Sequence, residues 1–135
     1  MADIIFLTVP DLIEMHENQI ATHGGDSGTH DLGLLKSAVE MPAMQSFGQY
    51  LHPTLFDMAA AYCFHLAKNH AFKDGNKRIA SVAAETFLLL NGYDLDVGEP
   101  DHSQMVLAVA DGSASKADAA AFYERQSRPQ AAPNA

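Results

Sequence analysis

The sequence predicts an all-α fold, a compact bundle of about six helices with one short exposed loop or hairpin. Three observations carry that prediction. Apolar residues recur at three- and four-residue spacing in segment after segment. Two helix-start boxes, each a Ser or Thr followed three residues later by an acid, stand ahead of such segments. Only Tyr93 to Val97 alternates as a strand would. With 135 residues, 47% of them apolar, there is material for one ordinary core.

Each element follows from local signals. Thr8-Val9-Pro10-Asp11 is a capping box with proline in the first turn. Leu12, Met15, His16, Gln19 and Ile20 follow at helical spacing, and Gly24-Gly25 stops the run. A second helix is expected from near Asp31, with Leu34, Leu35, Ala38 and Val39 inward, ending before Pro42. Residues 43–53 lack a helical period and, with Phe47, Gly48, Gln49 and Tyr50, suit an exposed loop or short hairpin. A strongly apolar, central helix runs from Pro53 through Leu55, Met58, Ala59, Tyr62, Cys63 and Leu66 to about Asn69. Asp74-Gly75 is a turn, and the next helix begins near Asn76 with Ile79, Val82, Ala83, Phe87 and Leu90 on one face, closed by Asn91-Gly92. Two last helices are expected over residues 103–111 and 115–126, the second opened by the box Ser115 to Asp118. Residues 1–126 are thus expected to form the domain, and 127–135 a frayed tail rich in proline and small residues.

Composition narrows the function. The single cysteine, Cys63, excludes an internal disulfide and a cysteine-rich zinc site, and its apolar surroundings suit a buried thiol. The apolar runs are too short to cross a bilayer and the first residues lack a signal-peptide pattern, so a cytoplasmic protein without a membrane partner is expected. A net charge of −9 opposes direct binding of nucleic acid. Yet Lys68, Lys73, Lys77 and Arg78, four of the eight basic residues, fall within eleven residues that carry +3 once Asp74 is counted, against −12 elsewhere. A cationic spot on an acidic chain points to a small anion as ligand.

The stretch His70 to Arg78 carries the chemistry. Asp74-Gly75-Asn76 leads directly into a helix, whose first N–H groups are unpaired, and glycine permits close backbone approach of an anion. Lys77 and Arg78 in the first helical turn oppose the helix dipole, at about 0.3–1 kcal/mol each. A bound phosphate would offset that cost, with Arg offering a fork of donors and Lys a point charge. Asp74 beside phosphates makes sense if it holds Mg²⁺. His70 lies across the turn, and a neutral imidazole there could accept a proton from an attacking hydroxyl. Phe72 is expected to face the core and anchor the turn. Taken singly, each feature has a plain alternative: a histidine at a helix end is often a cap, Asp-Gly-Asn is a common turn, and Lys-Arg is usually a solvated face.

His70-x-Phe72-x-Asp74-x-Asn76, continued by Lys77-Arg78, resembles the signature of the Fic/Doc family in the form found in its Doc (death-on-curing) branch. The similarity extends from Gly24-Gly25 through Leu34-Leu35 to Asn91-Gly92, over most of residues 5–125. The resemblance implies a Fic-type helical fold with His70 as general base and Asp74 as Mg²⁺ ligand. Gly75, Asn76, Lys77 and Arg78 would grip the phosphates of ATP, with Lys68 as a further phosphate candidate. Residues Phe47, Gly48, Gln49 and Tyr50 would form the flap that holds an extended target segment by strand-like pairing. Most Fic enzymes continue Gly-Asn-Gly-Arg with a second arginine three residues on; here Lys77 replaces the second glycine and Ser81 that arginine. In the Doc branch this change goes with transfer of the γ-phosphoryl group rather than AMP. The resemblance therefore implies a toxin that phosphorylates a Ser or Thr of a protein, with a translation elongation factor as the implied target. The inhibitory Ser/Thr-x-x-x-Glu helix of some relatives is absent, which suits a separate antitoxin.

Three other readings compete with that one. An AMP transferase is the nearest, and a non-catalytic binding module retaining the phosphate turn is the second. The third, a metal-dependent hydrolase built on His65 and His70, is disfavoured because their spacing does not put both on one helical face. His16, His23, His30, His52 and His102 show no ligand spacing and read as surface or core residues.

Overall fold

The computed structural model describes residues 3–131. Six helices follow in order: α1 (Val9–His23), α2 (Leu32–Glu40), α3 (Leu55–Asn69), α4 (Asn76–Leu90), α5 (Glu99–Asp111) and α6 (Lys116–Gln126). A 3₁₀ turn (Met41–Ala43) and a hairpin of β1 (Gln45–Ser46) and β2 (Gln49–Tyr50) separate α2 from α3. β3 (Tyr93–Leu95) follows α4, and β4 (Ser127–Pro129) follows α6.

The helix starts are chemically marked. Thr8, Thr54 and Ser115 each close a reciprocal capping box, with Asp11, Asp57 and Asp118, and Asp31 caps α2 by accepting from the Leu34 N–H. Each such cap contributes about 1 kcal/mol and fixes where its helix begins. The box at Thr54 places the start of α3 at Leu55, two residues past the proline from which a helix was expected. α5 starts at Glu99, four residues before the expected Ser103. Pro100 in its first turn and the acids Glu99 and Asp101 at its positive end explain the earlier start.

α3 is the central element, packed against α2, α4, α5 and α6. Its Met58, Tyr62, Cys63 and Leu66 are buried, and so are Ala59, Ala60, Ala61 and Ala67. α4 faces it with Ile79, Ala80, Ala83, Ala84, Phe87 and Leu88, all fully buried. Alanines on both helices leave little side chain between the two backbones, and the large residues fill the remainder. Truncating one of those large residues to alanine would cost roughly 2–5 kcal/mol. The α3–α4 connection, residues 70–75, is therefore held at both ends by the best-packed helix pair in the molecule. Cys63 is fully buried, and burial pushes its thiol up to about 11, as befits an inert packing residue.

Three expectations are corrected. Leu34 and Leu90 face outward, 38% and 45% exposed, because each helix rotates its neighbours Leu35 and Leu88 into the core instead. Ser127 to Pro129 do not fray: they pair antiparallel with Tyr93 to Leu95, extended by hydrogen bonds from Asp96 N–H to Gln126 O and from Gln130 N–H to Gly92 O. A strand left with an open edge is satisfied by the segment leaving α6, a pairing invisible to any local pattern. The rest of the expected tail, residues 132–135, lies outside the described residues.

Candidate active site

The first residue of the α3–α4 connection is forced out of the helix. His70 caps α3 in the left-handed conformation, φ 52° and ψ 46°, which costs a non-glycine residue about 1 kcal/mol. Its side chain is exposed and makes no hydrogen bond among the described residues. Strain at one polar residue, held by well-packed flanks, makes His70 a candidate for function.

The next residues are clamped against the loop after α1. The N–H groups of His30 and Asp31 donate to the Ala71 carbonyl, that of Lys73 donates to the Gly28 carbonyl, and Thr29 bridges Phe72. Phe72 is buried, as expected of an anchor. Asn76 reaches back and binds both backbone groups of Phe72, accepting from its N–H at 3.0 Å and donating to its carbonyl at 3.0 Å. Its side-chain amide is thus consumed within the turn, and what Asn76 offers a ligand is its backbone N–H.

α4 begins at Gly75, φ 76°, with no side-chain cap and no acid in its first turn. Four other helices are capped by a side chain. The N–H groups of Asn76, Lys77 and Arg78 therefore precede the first intrahelical bond, Ile79 N–H to Gly75 O, and await an acceptor. These three residues line a cavity of about 420 Å³ together with Asp74, Gly75, His23, Gly24 and Gly25. Neither Lys77 nor Arg78 is ion-paired among the described residues. Two free cations and three uncapped amides around one cavity have the chemistry to receive a polyanion.

Asp74 is held three ways. Its Oδ1 accepts from Gly75 N–H at 2.8 Å, its Oδ2 from Asp26 N–H at 3.3 Å, and its backbone carbonyl from His16 Nε2 at 2.7 Å. Gly25 leaves room for the carboxylate, since a Cβ there would stand 2.6 Å from Asp74 Oδ2. The exposed carboxylate keeps lone pairs on both oxygens, which fits a hard cation that brings phosphate and water oxygens as its other ligands. Among the described residues no group of three His, Cys, Asp or Glu could hold a metal unaided.

The remaining candidates lie elsewhere. Lys68 turns away, its Nζ 5.7 Å from the centre of the Phe64 ring and 3.9 Å from the position a Cβ would take on Gly112, so it lines no part of the cavity. Phe47, Gly48, Gln49 and Tyr50 form the turn and second strand of a real hairpin, with Phe47 (φ 51°) and Gly48 (φ 77°) as its two central residues. Phe47 is fully exposed, while Tyr50 packs on Phe6. His65 does not join His70: its Nε2 lies 3.0 Å from Lys116 Nζ. Ser81 donates its hydroxyl to the Arg78 carbonyl at 2.8 Å and lines no part of the cavity. Sequence reasoning missed the far wall, His23, Gly24 and Gly25, and missed His16; the Gly24-Gly25 pair was visible but read as a helix stop and the start of the family similarity, not as a wall of the site.

A profile of the Fic/DOC family matches residues 6–88. The chain is 31% identical over 116 residues, 85% of its own length and 90% of the other's, to "Protein kinase doc" of Escherichia phage P1. It is 49% identical over 72 residues to "Toxin Doc" of Mycolicibacterium smegmatis, a match covering 53% of this chain and 55% of that protein. The matched span holds the far wall, the hairpin and the whole stretch from His70 to Arg78, and the chain belongs to the Fic/DOC family.

Proposed function

We propose that the protein is a Doc-like toxin that transfers the γ-phosphoryl group of ATP to a Ser or Thr hydroxyl of a target protein, under the control of a separate antitoxin. The observation that supports this is the single cavity in which Lys77, Arg78 and three uncapped amides face one exposed carboxylate. The names of the two relatives, one a toxin and one a protein kinase, point the same way. A translation elongation factor is the target class the family resemblance implies.

In this reading the phosphates of ATP rest on the N–H groups of Asn76, Lys77 and Arg78 and on the two cationic side chains. Asp74 would hold Mg²⁺, which when bound offsets phosphate charge. His70 Nδ1 or Nε2 takes the proton of the target hydroxyl as its oxygen bonds to the γ-phosphorus; the bond from that phosphorus to the β-bridging oxygen breaks, and ADP leaves. Positioning and charge neutralisation supply most of the acceleration in such transfers, and the base about 10²–10⁴. The hairpin supplies an edge along which an extended target segment can pair.

AMP transfer is the second reading. It is disfavoured by Ser81, which stands where a second arginine would be and spends its hydroxyl on its own helix. ATP labelled at the α or the γ position, incubated with the protein and a bacterial proteome, separates the two: γ-label retained on protein supports phosphorylation, and α-label overturns it. Loss of all transfer in Lys77→Ala with Arg78→Ala, the fold being intact, is expected; unchanged transfer would remove the polyanion site from the mechanism.

A further inference from the structure

We infer that His16 on α1 is the positioning residue of the phosphate turn, orienting the Asp74–Gly75 peptide through one hydrogen bond and the Phe72 ring through one stack. The inference rests on the polyphosphate reading of the cavity.

His16 is 1% exposed, in a position where a helix of this pattern would ordinarily carry a leucine. Its Nε2 lies 2.7 Å from the Asp74 carbonyl oxygen, and because a carbonyl only accepts, the proton is on Nε2. Its ring lies on Phe72 with centroids 3.9 Å apart and planes within 8°. One side chain thus grips the turn at both ends of the tripeptide Phe72-Lys73-Asp74. The Asp74 carbonyl has no helical partner, since the first bond of α4 ends on Gly75. Glycine at Gly75 leaves the Asp74–Gly75 peptide free to rotate, and the histidine removes that freedom. The orientation of that peptide sets how α4 enters the cavity, and with it where the amides of Asn76, Lys77 and Arg78 point. α1 also ends in the cavity wall, His23 followed by Gly24 and Gly25, so the same helix fixes both faces of the site. A purely packing role would need the ring alone; the buried donor on a ligand-site carbonyl is what goes beyond it.

Two variants separate those roles. His16→Phe keeps ring and volume but loses the donor, whereas His16→Gln keeps a donor and loses the stack. With Mg²⁺ and ATP as probe, His16→Phe should raise the Kd roughly tenfold, the worth of one ordering hydrogen bond, with KM for ATP rising more than kcat falls. His16→Gln should recover most of the affinity. A folded His16→Phe that binds ATP as the parent does overturns the inference. If the parent itself fails to bind ATP, the polyphosphate reading falls, and His16 is judged in free protein: amide exchange at Gly75 and Asn76 should quicken in His16→Phe while α5 is unchanged, and no change overturns it. Should His16→Phe not fold, imidazole nitrogen spectra of the parent decide, since a proton on Nδ1 alone contradicts the contact.

Discussion

Two lysine-and-histidine neighbourhoods flank α3, and both break the same rule by placing a cation in the first turn of a helix. At the start of α6, Lys116 is answered from within: its Nζ stands 3.1 Å from His52 Nε2 and 3.0 Å from His65 Nε2, and 5.2 Å from the Phe64 ring centre. Burial pushes the His65 imidazole down to about 4, helped by Lys116 and His52, and burial with Lys116 lowers His52 too. Both rings accept from the lysine as neutral imidazoles, although His52 Nδ1 is left buried without a partner and the cluster borders a cavity of about 370 Å³ lined by His52, Asp57 and Lys116. At the start of α4, Lys77 and Arg78 find no carboxylate, the amides have no cap, and His70 has no partner among the described residues. A cation answered by its own neighbours suits architecture. Cations that face outward beside uncapped amides suit a ligand, and the contrast favours the α3–α4 turn as the seat of the proposed chemistry although both places hold lysine and histidine.

The contrast breaks most sharply at His70. His70→Gly should cut transfer by about 10²–10⁴. The same change should raise stability by about 1 kcal/mol, because glycine accepts the left-handed conformation without strain. A paired activity assay and thermal melt checks both, and a destabilised His70→Gly would mean that the imidazole is structural, like His65.

Gly25→Ala is next. The new methyl would meet the Asp74 carboxylate at a backbone angle of φ 114°, whereas Gly24→Ala, at φ 82°, has open space around it. Both should lose about 1–2 kcal/mol from backbone strain, but only Gly25→Ala should also weaken Mg²⁺-dependent ATP binding. Equal binding in the two would show that Asp74 is not a ligand.

Acid should act on the Lys116 cluster. His65 binds its proton less readily folded than unfolded, so its contribution to stability is present above its ordinary value of 6.5 and lost as pH falls through about 4. Melts between those limits should therefore fall more steeply for the parent than for His65→Gln, and parallel curves would contradict the neutral ring. The smallest effect belongs to the hairpin tip: Phe47→Asn should stabilise by roughly 0.5 kcal/mol, since asparagine tolerates φ 51° better. A urea titration measures it, and a loss of stability would show that the exposed ring packs after all.

Much of this was legible along the chain. The starts of α1 and α6, the stop at Asn91-Gly92, the central place of α3 and the cationic helix start at Asn76 follow from spacing, capping and charge within a few residues of each other. Lys68 was misjudged for a related reason: its nearness to the motif in sequence says nothing of which side of α3 it faces, and it faces Phe64 and the α5–α6 corner. Leu34 and Leu90 belong to the same class of error, since a period gives a stripe but not its edges.

What the sequence alone determined is the class of fold and the position of a cationic turn, because helix periodicity, caps and a misplaced pair of cations are local physics. Only the tertiary structure decided which histidines are spent and which are free, that α1 and its Gly24-Gly25 exit form the second wall, and that Ser127 to Pro129 pair with the rest of the domain. Those depend on contacts between segments far apart in the chain, and no local preference encodes which distant partner will satisfy a buried hydrogen bond.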